Sequence, residues 1–339
     1  MINVSFKLKK VSMVAVLVFL MVFSTGFITG QIEAAEADYP ELTREEATLF
    51  NIVREGSLGR ISTEIGRDII DLTDDQGASL LMHAAAYTED PAVINYLAQL
   101  GSEVDLKDNK GQTALMYAAA YNNEDVIDKL LRNGAEPKLR NNRGETALIL
   151  AAGNNNLEVV EKLIAADADI INIRDQYGQT ALHHAASFNT PCLIEALLDA
   201  GADISLTDQN NESAIIKAAM YNPEPAVLET LVDCGACLED ELNGMNLLML
   251  AARTNQSTDV TGLLLELGFD IDAMTEDSET PLILATKYND NPEQVQYLLD
   301  NSADGSIVDA SGNTAYDYAG EREDIKNTDL YWELNEARF

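Results

Sequence analysis

The stretch Asp108-Asn-Lys-Gly-Gln-Thr-Ala-Leu115 decides the fold, because versions of it recur along most of the 339-residue chain. Close copies begin at Asn141 and Asp175. The glycine of the motif, or the residue that replaces it, returns every 33 or 34 residues, at Gly77, Gly111, Gly144, Gly178, Asn211, Gly244, Ser278 and Gly312. A fixed period of this length predicts a repeat architecture in which similar units stack side by side.

Each copy begins with a turn followed by a helix start. The Asp-x-x-Gly pattern suits a turn, because Asp bonds its own backbone and Gly tolerates a positive φ. Two residues after the glycine slot every copy carries Ser, Thr or Asn, whose side chains accept hydrogen bonds from unpaired N–H groups at a helix N-terminus. These predicted N-caps are Ser79, Thr113, Thr146, Thr180, Ser213, Asn246, Thr280 and Thr314.

Two helices are predicted after each turn. The first is short and in most copies carries an Ala-Ala pair, such as Ala118-Ala119, which lets neighbouring helices approach closely. The second has apolar residues at helical spacing, as in Val126, Ile127 and Leu130. Between them stands an Asn, which we expect to end the first helix in the left-handed conformation. The Asn residues are Asn122, Asn155, Asn189, Asn222, Asn255 and Asn289.

Over about residues 74–320 these motifs resemble the ankyrin repeat, which opens with Asp-x-x-Gly-x-Thr-Pro-Leu-His-x-Ala-Ala. The usual Pro survives only at Pro281, and the usual His only at His183. The resemblance implies an all-α solenoid of helix–turn–helix units joined by β-hairpin-like loops, with about nine units. We assign residues 38–73 to a linker and capping unit, 74–308 to seven repeats, and 309–339 to a C-terminal capping repeat.

Residues 1–37 are predicted to be an export signal outside the fold. Three lysines precede an apolar run from Val11 to about Ile28, and Ala35-Glu-Ala37 has the pattern of a cleavage site. The run is close to the ~20 residues of a membrane span, so a retained anchor is the alternative. We therefore expect the protein to be exported, either released as a periplasmic or secreted protein or held at the membrane by residues 11–28.

The net charge of −35 and the pI of about 4.1 argue against nucleic-acid binding, which requires clustered Lys and Arg. Residues 191–339 carry 6 basic and 30 acidic residues, whereas residues 38–190 carry 13 and 25. Such an acidic half would attract a basic protein partner. The alternative interpretation is a solvated surface that keeps an exported protein soluble. The sequence leaves the partner's identity and the oligomeric state open.

Ankyrin arrays are chiefly binding surfaces, and the resemblance places binding at the hairpin tips and at the far end of each first helix. An aromatic residue stands at the end of the predicted first helix in five copies, in four of them directly before the Asn, and Tyr is enriched at interface hot spots. Packing against neighbouring loops is the alternative role for these rings. The candidate partner-binding residues, including basic residues of the early hairpin tips, are Tyr87, Lys110, Tyr121, Arg140, Arg143, Tyr177, Phe188, Tyr221 and Tyr288.

Catalytic, cofactor and metal sites are not predicted. Cys234 and Cys237 have redox spacing, but they follow the end of a helix, where the dipole disfavours a thiolate; a disulfide between them stays open. His83, His183 and His184 are interpreted as parts of the repeat framework. The favoured function is a non-catalytic, exported protein-interaction module. The alternatives are an inhibitor or immunity-type protein for an exported enzyme or toxin, and a membrane-anchored surface scaffold.

Overall fold

The computed structural model describes residues 44–121, 124–154 and 156–339. The predicted signal segment 1–37 and the predicted helix-ending Asn122 and Asn155 lie outside these ranges. The described part of the chain is built from helix pairs, and no helix within it is long and apolar enough to cross a bilayer.

The first helices of the repeats are short and similar in length. They span Leu80–Tyr87, Ala114–Tyr121, Ala147–Gly153, Ala181–Phe188, Ala214–Tyr221, Leu247–Thr254 and Pro281–Tyr288. The second helices span Pro91–Leu100, Glu124–Arg132, Leu157–Ala166, Pro191–Asp199, Pro225–Asp233, Thr258–Glu266 and Pro292–Asp300. Helices Arg44–Arg54 and Leu58–Glu64 precede them, and helices Ala315–Ala319 and Asp329–Ala337 follow. The predicted helical repeat solenoid is confirmed.

The turns adopt the geometry that the sequence predicts. Gly111 has φ = 75°, and the backbone N of Asn142 in the next hairpin would lie 2.9 Å from an added Cβ, so that the position requires glycine. Asp108 Oδ1 accepts from the backbone N–H groups of Lys110 (2.9 Å) and Gln112 (2.7 Å). Even the replacements Asn211 and Ser278 keep a positive φ. The motif therefore specifies a turn whose backbone touches its neighbour.

The predicted N-caps all immediately precede a first helix or the short helix Ala315–Ala319. The hydroxyls of Thr113 and Thr146 accept from N–H groups three residues later, at 3.4 and 3.3 Å. The side chain of Asn246 does the same at 3.0 Å. Ser213 differs, since its hydroxyl donates instead to Asp240 in the following hairpin at 2.6 Å.

The core lies between the two layers of helices. First helices of successive repeats pack against one another more extensively than second helices do. The physical reason is the buried alanine pair, since Ala151, Ala152, Ala185 and Ala186 expose no surface and keep the helix axes close. Larger side chains, such as Leu163 and others on the second helices, fill the space between the layers. Stacking thus builds an apolar core across repeats that no single repeat forms alone, with a second cluster from Ala252 to Leu334 at the C-terminal end.

The Asn residues end the first helices by a mechanism that differs from the expected one. Asn189, Asn222, Asn255 and Asn289 have φ between −119° and −73°, so the expected left-handed conformation is wrong for all four. Each is buried, and each side-chain amide donates to backbone carbonyls of the preceding repeat. Asn222, for example, donates to the carbonyl oxygens of Ala186 (3.1 Å) and Asn189 (2.9 Å). These Asn residues form a ladder that links consecutive loops.

The last helices close the stack with different residues. Arg322 occupies the place of the ladder Asn and donates to the carbonyl oxygens of Thr286 (3.0 Å) and Asn289 (2.6 Å). Tyr316 stacks on Tyr331 with ring centroids 4.6 Å apart. Trp332 meets Tyr331 edge-on but keeps 58% of its surface exposed.

Candidate functional site

Five aromatic side chains stand at the C-terminal ends of first helices, as the sequence predicts. We call Tyr87, Tyr121, Phe188, Tyr221 and Tyr288 the aromatic row. Phe188 is half-buried, whereas the four tyrosines expose between 37% and 58% of their surface. Rings this exposed retain apolar area that a partner can cover, so the geometry permits the predicted binding role. Whether the row binds a partner stays a prediction.

In two repeats a polar residue occupies the position of the aromatic row. Asn154 is exposed, and its side-chain amide donates to the carbonyl of Leu150 (2.7 Å). Thr254 donates its hydroxyl to the carbonyl oxygens of Leu250 (2.9 Å) and Met220 (3.1 Å). The row is therefore interrupted at the third and sixth repeats.

Cationic side chains lie over several of these rings. Arg54 lies 5.0 Å from the ring centroid of Tyr87. Arg253 and Lys287 lie 4.7 and 5.1 Å from that of Tyr288. Cation–π contacts restrain these rings, and Tyr87 and Tyr288 still expose 49% and 45% of their surface. Arg54 and Arg253 belong to the preceding helices, whereas Lys287 directly precedes Tyr288 on the same helix. Because the cations have no fixed spacing from the rings, the repeat pattern does not predict these contacts.

A second row of polar residues lies one turn earlier on the first helices. In five copies the turn Asp is paired with the residue nine positions later. The pairs are Asp74 with His83 (2.8 Å), Asp108 with Tyr117 (2.8 Å), Asp175 with His184 (3.3 Å), Asp208 with Lys217 (3.0 Å) and, in the C-terminal capping repeat, Asp309 with Tyr318. The constant spacing of nine residues is a signal in the sequence from which these pairs could have been predicted.

The Lys217 pair is the most deeply buried of these ionic contacts. Burial disfavours the charged ammonium, but Glu212 and Asp208 outweigh it, so the pKa of Lys217 is raised. Burial likewise opposes ionisation of Asp208, while hydrogen bonds from Gln179 and Lys217 leave its pKa lowered. Lys217 and Asp208 are therefore both charged near neutral pH, and Lys217 is held beneath Tyr221, 5.7 Å from the ring centroid. The cluster fixes the helix that carries Tyr221.

The basic residues of the early hairpins form a ladder of their own. Lys107 Nζ donates to the carbonyl of Arg140 (2.7 Å), and Arg140 Nη2 donates to the carbonyl of Arg174. Arg174 in turn donates to the carbonyl of Thr207. Each cation thus reaches the backbone of the next hairpin. Arg140, predicted to contact a partner, also links hairpins within the chain.

The remaining predicted residues of the hairpin tips differ in their surroundings. Arg143 is exposed and lies 3.5 Å from the carboxylate of buried Glu145. Lys110 is half-buried, and burial lowers its pKa although Asp108 and Asp74 act in the opposite direction. Tyr177 exposes 49% of its surface. Of the three, Tyr177 therefore offers the largest apolar contact area.

The cysteines and the predicted framework histidines have ordinary surroundings. Cys234 and Cys237 are exposed free thiols. The pKa of the Cys234 thiol is raised by burial and by Glu195, Asp199 and Asp233. Within the described ranges, no group of three His, Cys, Asp or Glu side chains could hold a metal ion.

His183 is buried, and Nδ1 lies 2.9 Å from the hydroxyl of Thr180 and 3.2 Å from its backbone N. Burial lowers the pKa of His183 to about 4, so the ring is neutral at pH 7. Its contacts with the N-cap place it in the repeat framework.

The comparisons with known proteins agree with the repeat pattern. The family model described as ankyrin repeats (3 copies) matches residues 49–141, 119–208, 185–275 and 248–328. Among solved structures, a chain from the complex of a predatory endopeptidase from Bdellovibrio bacteriovorus with an immunity protein is similar at 26% identity. The match covers 55% of this chain and 96% of that chain, with a TM-score of 0.48. No curated protein matches the chain significantly.

Proposed function

The chain belongs to the ankyrin repeat family, and from this premise we propose that it is an exported, non-catalytic module that binds a protein partner. Ankyrin repeats bind other proteins and are generally interaction modules without catalysis. The observation that carries the proposal is the aromatic row, whose four tyrosines are 37–58% exposed at the ends of the first helices of the first, second, fifth and seventh repeats. Exposed rings at regular spacing offer a partner several anchors along one face.

The contacts around the row support a preformed binding face. Tyr87, Tyr221 and Tyr288 each meet a cation of the chain, so these rings lose little freedom when a partner covers them. The first helices that carry them are packed tightly through alanines. A rigid row of this kind favours a partner segment that lies across several repeats.

The net charge of the chain indicates which kind of protein it attracts. The net charge of −35 would draw a basic protein toward the chain, since long-range attraction raises association rates. We therefore propose a net-basic partner. Nucleic acid is disfavoured by the same charge.

Replacing Tyr121, Phe188 and Tyr221 together by Ala tests the function. We expect at least about tenfold weaker partner binding, since hot-spot aromatics contribute about 2 kcal/mol or more each. The measurement is a pull-down with the full chain as bait from the exported fraction, followed by titration of the captured protein. A matched control replaces Glu161, Glu195 and Glu229, equivalent exposed positions of three second helices, by Asp, so that the net charge is unchanged.

The proposal fails if the aromatic variant and the control bind the captured protein equally. If the aromatic variant instead loses its thermal transition while the control keeps it, the rings support the solenoid and the alternative role is correct.

Export is a separate part of the proposal and rests on the sequence of residues 1–37. Edman sequencing of the protein purified from the cell envelope and medium tests it. We expect the mature chain to begin near Asp38, directly after Ala37. A chain that begins at Met1 in the membrane fraction would favour the anchored alternative, and an intact chain in the cytoplasm would contradict export.

A further inference from the structure

We propose that Arg253 is an anchor for an acidic side chain of the protein partner, an inference that rests on the proposed function and specifies its chemistry. Arg253 lies on the first helix Leu247–Thr254 and is half-buried. The first helices before and after it end in Tyr221 and Tyr288. Its guanidinium carbon is 4.7 Å from the ring centroid of Tyr288. Burial raises the pKa of Tyr221, and the charge of Arg253 acts in the opposite direction.

Comparison with the equivalent position of the next repeat shows that Arg253 lacks a carboxylate partner. Arg253 stands seven residues after its N-cap Asn246, and Lys287 stands seven residues after its N-cap Thr280. Lys287 Nζ forms a 2.6 Å ion pair with Glu279, the residue just before the N-cap. In the repeat of Arg253 that position is Met245, whose sulfur lies 3.8 Å from Nη1. A thioether therefore replaces the carboxylate that neutralises the equivalent cation.

No other carboxylate compensates in the part of the chain that the structure describes. Glu212 and Asp208 are paired with Lys217, and Glu279 is paired with Lys287. Across all the described ranges, Arg253 forms no ion pair, although acidic residues outnumber basic ones by 57 to 22. A cation left unpaired in such an acidic protein is available to an external anion.

The surroundings of Arg253 suit a carboxylate from a protein segment. Guanidinium binds carboxylate through two parallel hydrogen bonds. Within the described ranges, the side-chain contact that Arg253 donates is the weak one from Nη1 to the sulfur of Met245, which a carboxylate can replace. Tyr221 and Tyr288 expose 37% and 45% of their surface, so apolar groups beside the acid have rings to pack on. The group that binds Arg253 is an Asp or Glu side chain with apolar neighbours in the sequence of the partner, and the overall charge of the partner is positive.

Selection of random peptides on the immobilised full chain tests the anchor. The peptides are displayed with their C-termini fused to the coat protein, so that only side-chain carboxylates are offered. We expect Asp or Glu to be enriched among peptides whose binding is lost in the Tyr221→Ala variant. Because the chain is strongly acidic, nonspecific attraction would enrich basic residues instead.

Two variants act on the anchor in different ways. Arg253→Met removes the charge and keeps much of the stem. Met245→Glu leaves Arg253 in place and supplies the internal carboxylate that Glu279 provides for Lys287. Both should weaken binding of the selected peptides about tenfold to hundredfold, since a hydrogen bond to a charged group contributes about 1.5–3 kcal/mol. Lys162→Met, an exposed second-helix position, is the matched control and should bind as the wild type does.

The results of these experiments distinguish a failure of the Arg253 anchor from a failure of the proposed function. Peptides that lose binding in Tyr221→Ala but bind Arg253→Met and Met245→Glu at full strength overturn the anchor and leave the aromatic row as a binding face. Selected peptides without acidic enrichment also overturn the anchor. Peptides that bind all variants equally, or no binders at all, overturn both proposals. Thermal melting of each variant shows whether a loss of binding is accompanied by a loss of fold. If Arg253→Met does not fold, the binding measured with Met245→Glu tests the anchor.

Discussion

Single residues hold consecutive repeats together through their side-chain amides. Each of Asn222, Asn255 and Asn289 is buried and donates to two backbone carbonyls of the preceding repeat. Buried carbonyls at the end of a helix lack intrahelical donors, and an unpaired buried carbonyl is costly. An Asn is short enough to fit between two loops and still offers two donors. The recurrence of Asn is therefore explained by contacts between repeats.

Asn222→Ala tests this role. The variant leaves the carbonyls of Ala186 and Asn189 without their donor, and we expect a loss of about 2–4 kcal/mol in the free energy of unfolding. Urea denaturation followed by circular dichroism measures it. Asn154→Ala is the matched control, because Asn154 is exposed and bonds only to Leu150 of its own helix. Equal destabilisation of the two variants would contradict the ladder.

At the scale of helices and turns, the sequence and the structure agree most closely. The glycine slot predicts a positive φ, and even Asn211 and Ser278 adopt it. The Ser, Thr or Asn two residues later precedes a helix in all eight copies. These features could be predicted because they depend on interactions within a few residues of the chain. The helix-ending conformation of Asn could not, since a contact 33 residues away determines it.

The two helices of a repeat have different tasks because their surfaces differ. First helices carry buried alanines and pack closely with one another, which brings their C-terminal aromatic residues into one row. Second helices are amphipathic, with acidic residues such as Glu161, Glu195 and Glu229 exposed. The binding face is thus expected on the first helices, where rings and cations meet.

At the scale of the whole molecule, charge is distributed unevenly. Residues 191–339 hold 30 acidic residues, many of them exposed, and only 6 basic ones. Of those cations, Lys217, Arg253 and Lys287 lie beside Tyr221 or Tyr288. In the function we propose, this arrangement combines long-range attraction for a basic protein with a local site for an acidic side chain.

Replacing two exposed acidic residues of a hairpin, Glu276 by Gln and Asp277 by Asn, tests the long-range attraction. We expect association with the captured partner to slow by about two- to tenfold at low salt, with the difference vanishing as salt screens the charges. Stopped-flow or surface-plasmon kinetics at several salt concentrations measures it. Glu266→Gln with Asp300→Asn, on second helices, is the control of equal charge change. Association rates that do not vary with salt would rule out steering.

The candidate site could be predicted only in part. The aromatic row follows from its regular position before the Asn slot, and the structure places it at the helix ends. The role of Arg140 within the hairpin ladder could not be foreseen, because its acceptor is a backbone carbonyl 34 residues away. The same limit applies to Arg253, whose importance depends on Met245 and on rings from two neighbouring helices.

The sequence by itself determined the period, the turns, the helix starts and the family, because each is written in local patterns that repeat in a fixed register. Only the tertiary structure decided which polar side chains link repeats and that Arg253 has a thioether where Lys287 has a carboxylate. The physical reason is that a pattern within one repeat specifies its backbone. Hydrogen bonds and ion pairs between repeats depend on which side chains the stacking brings face to face.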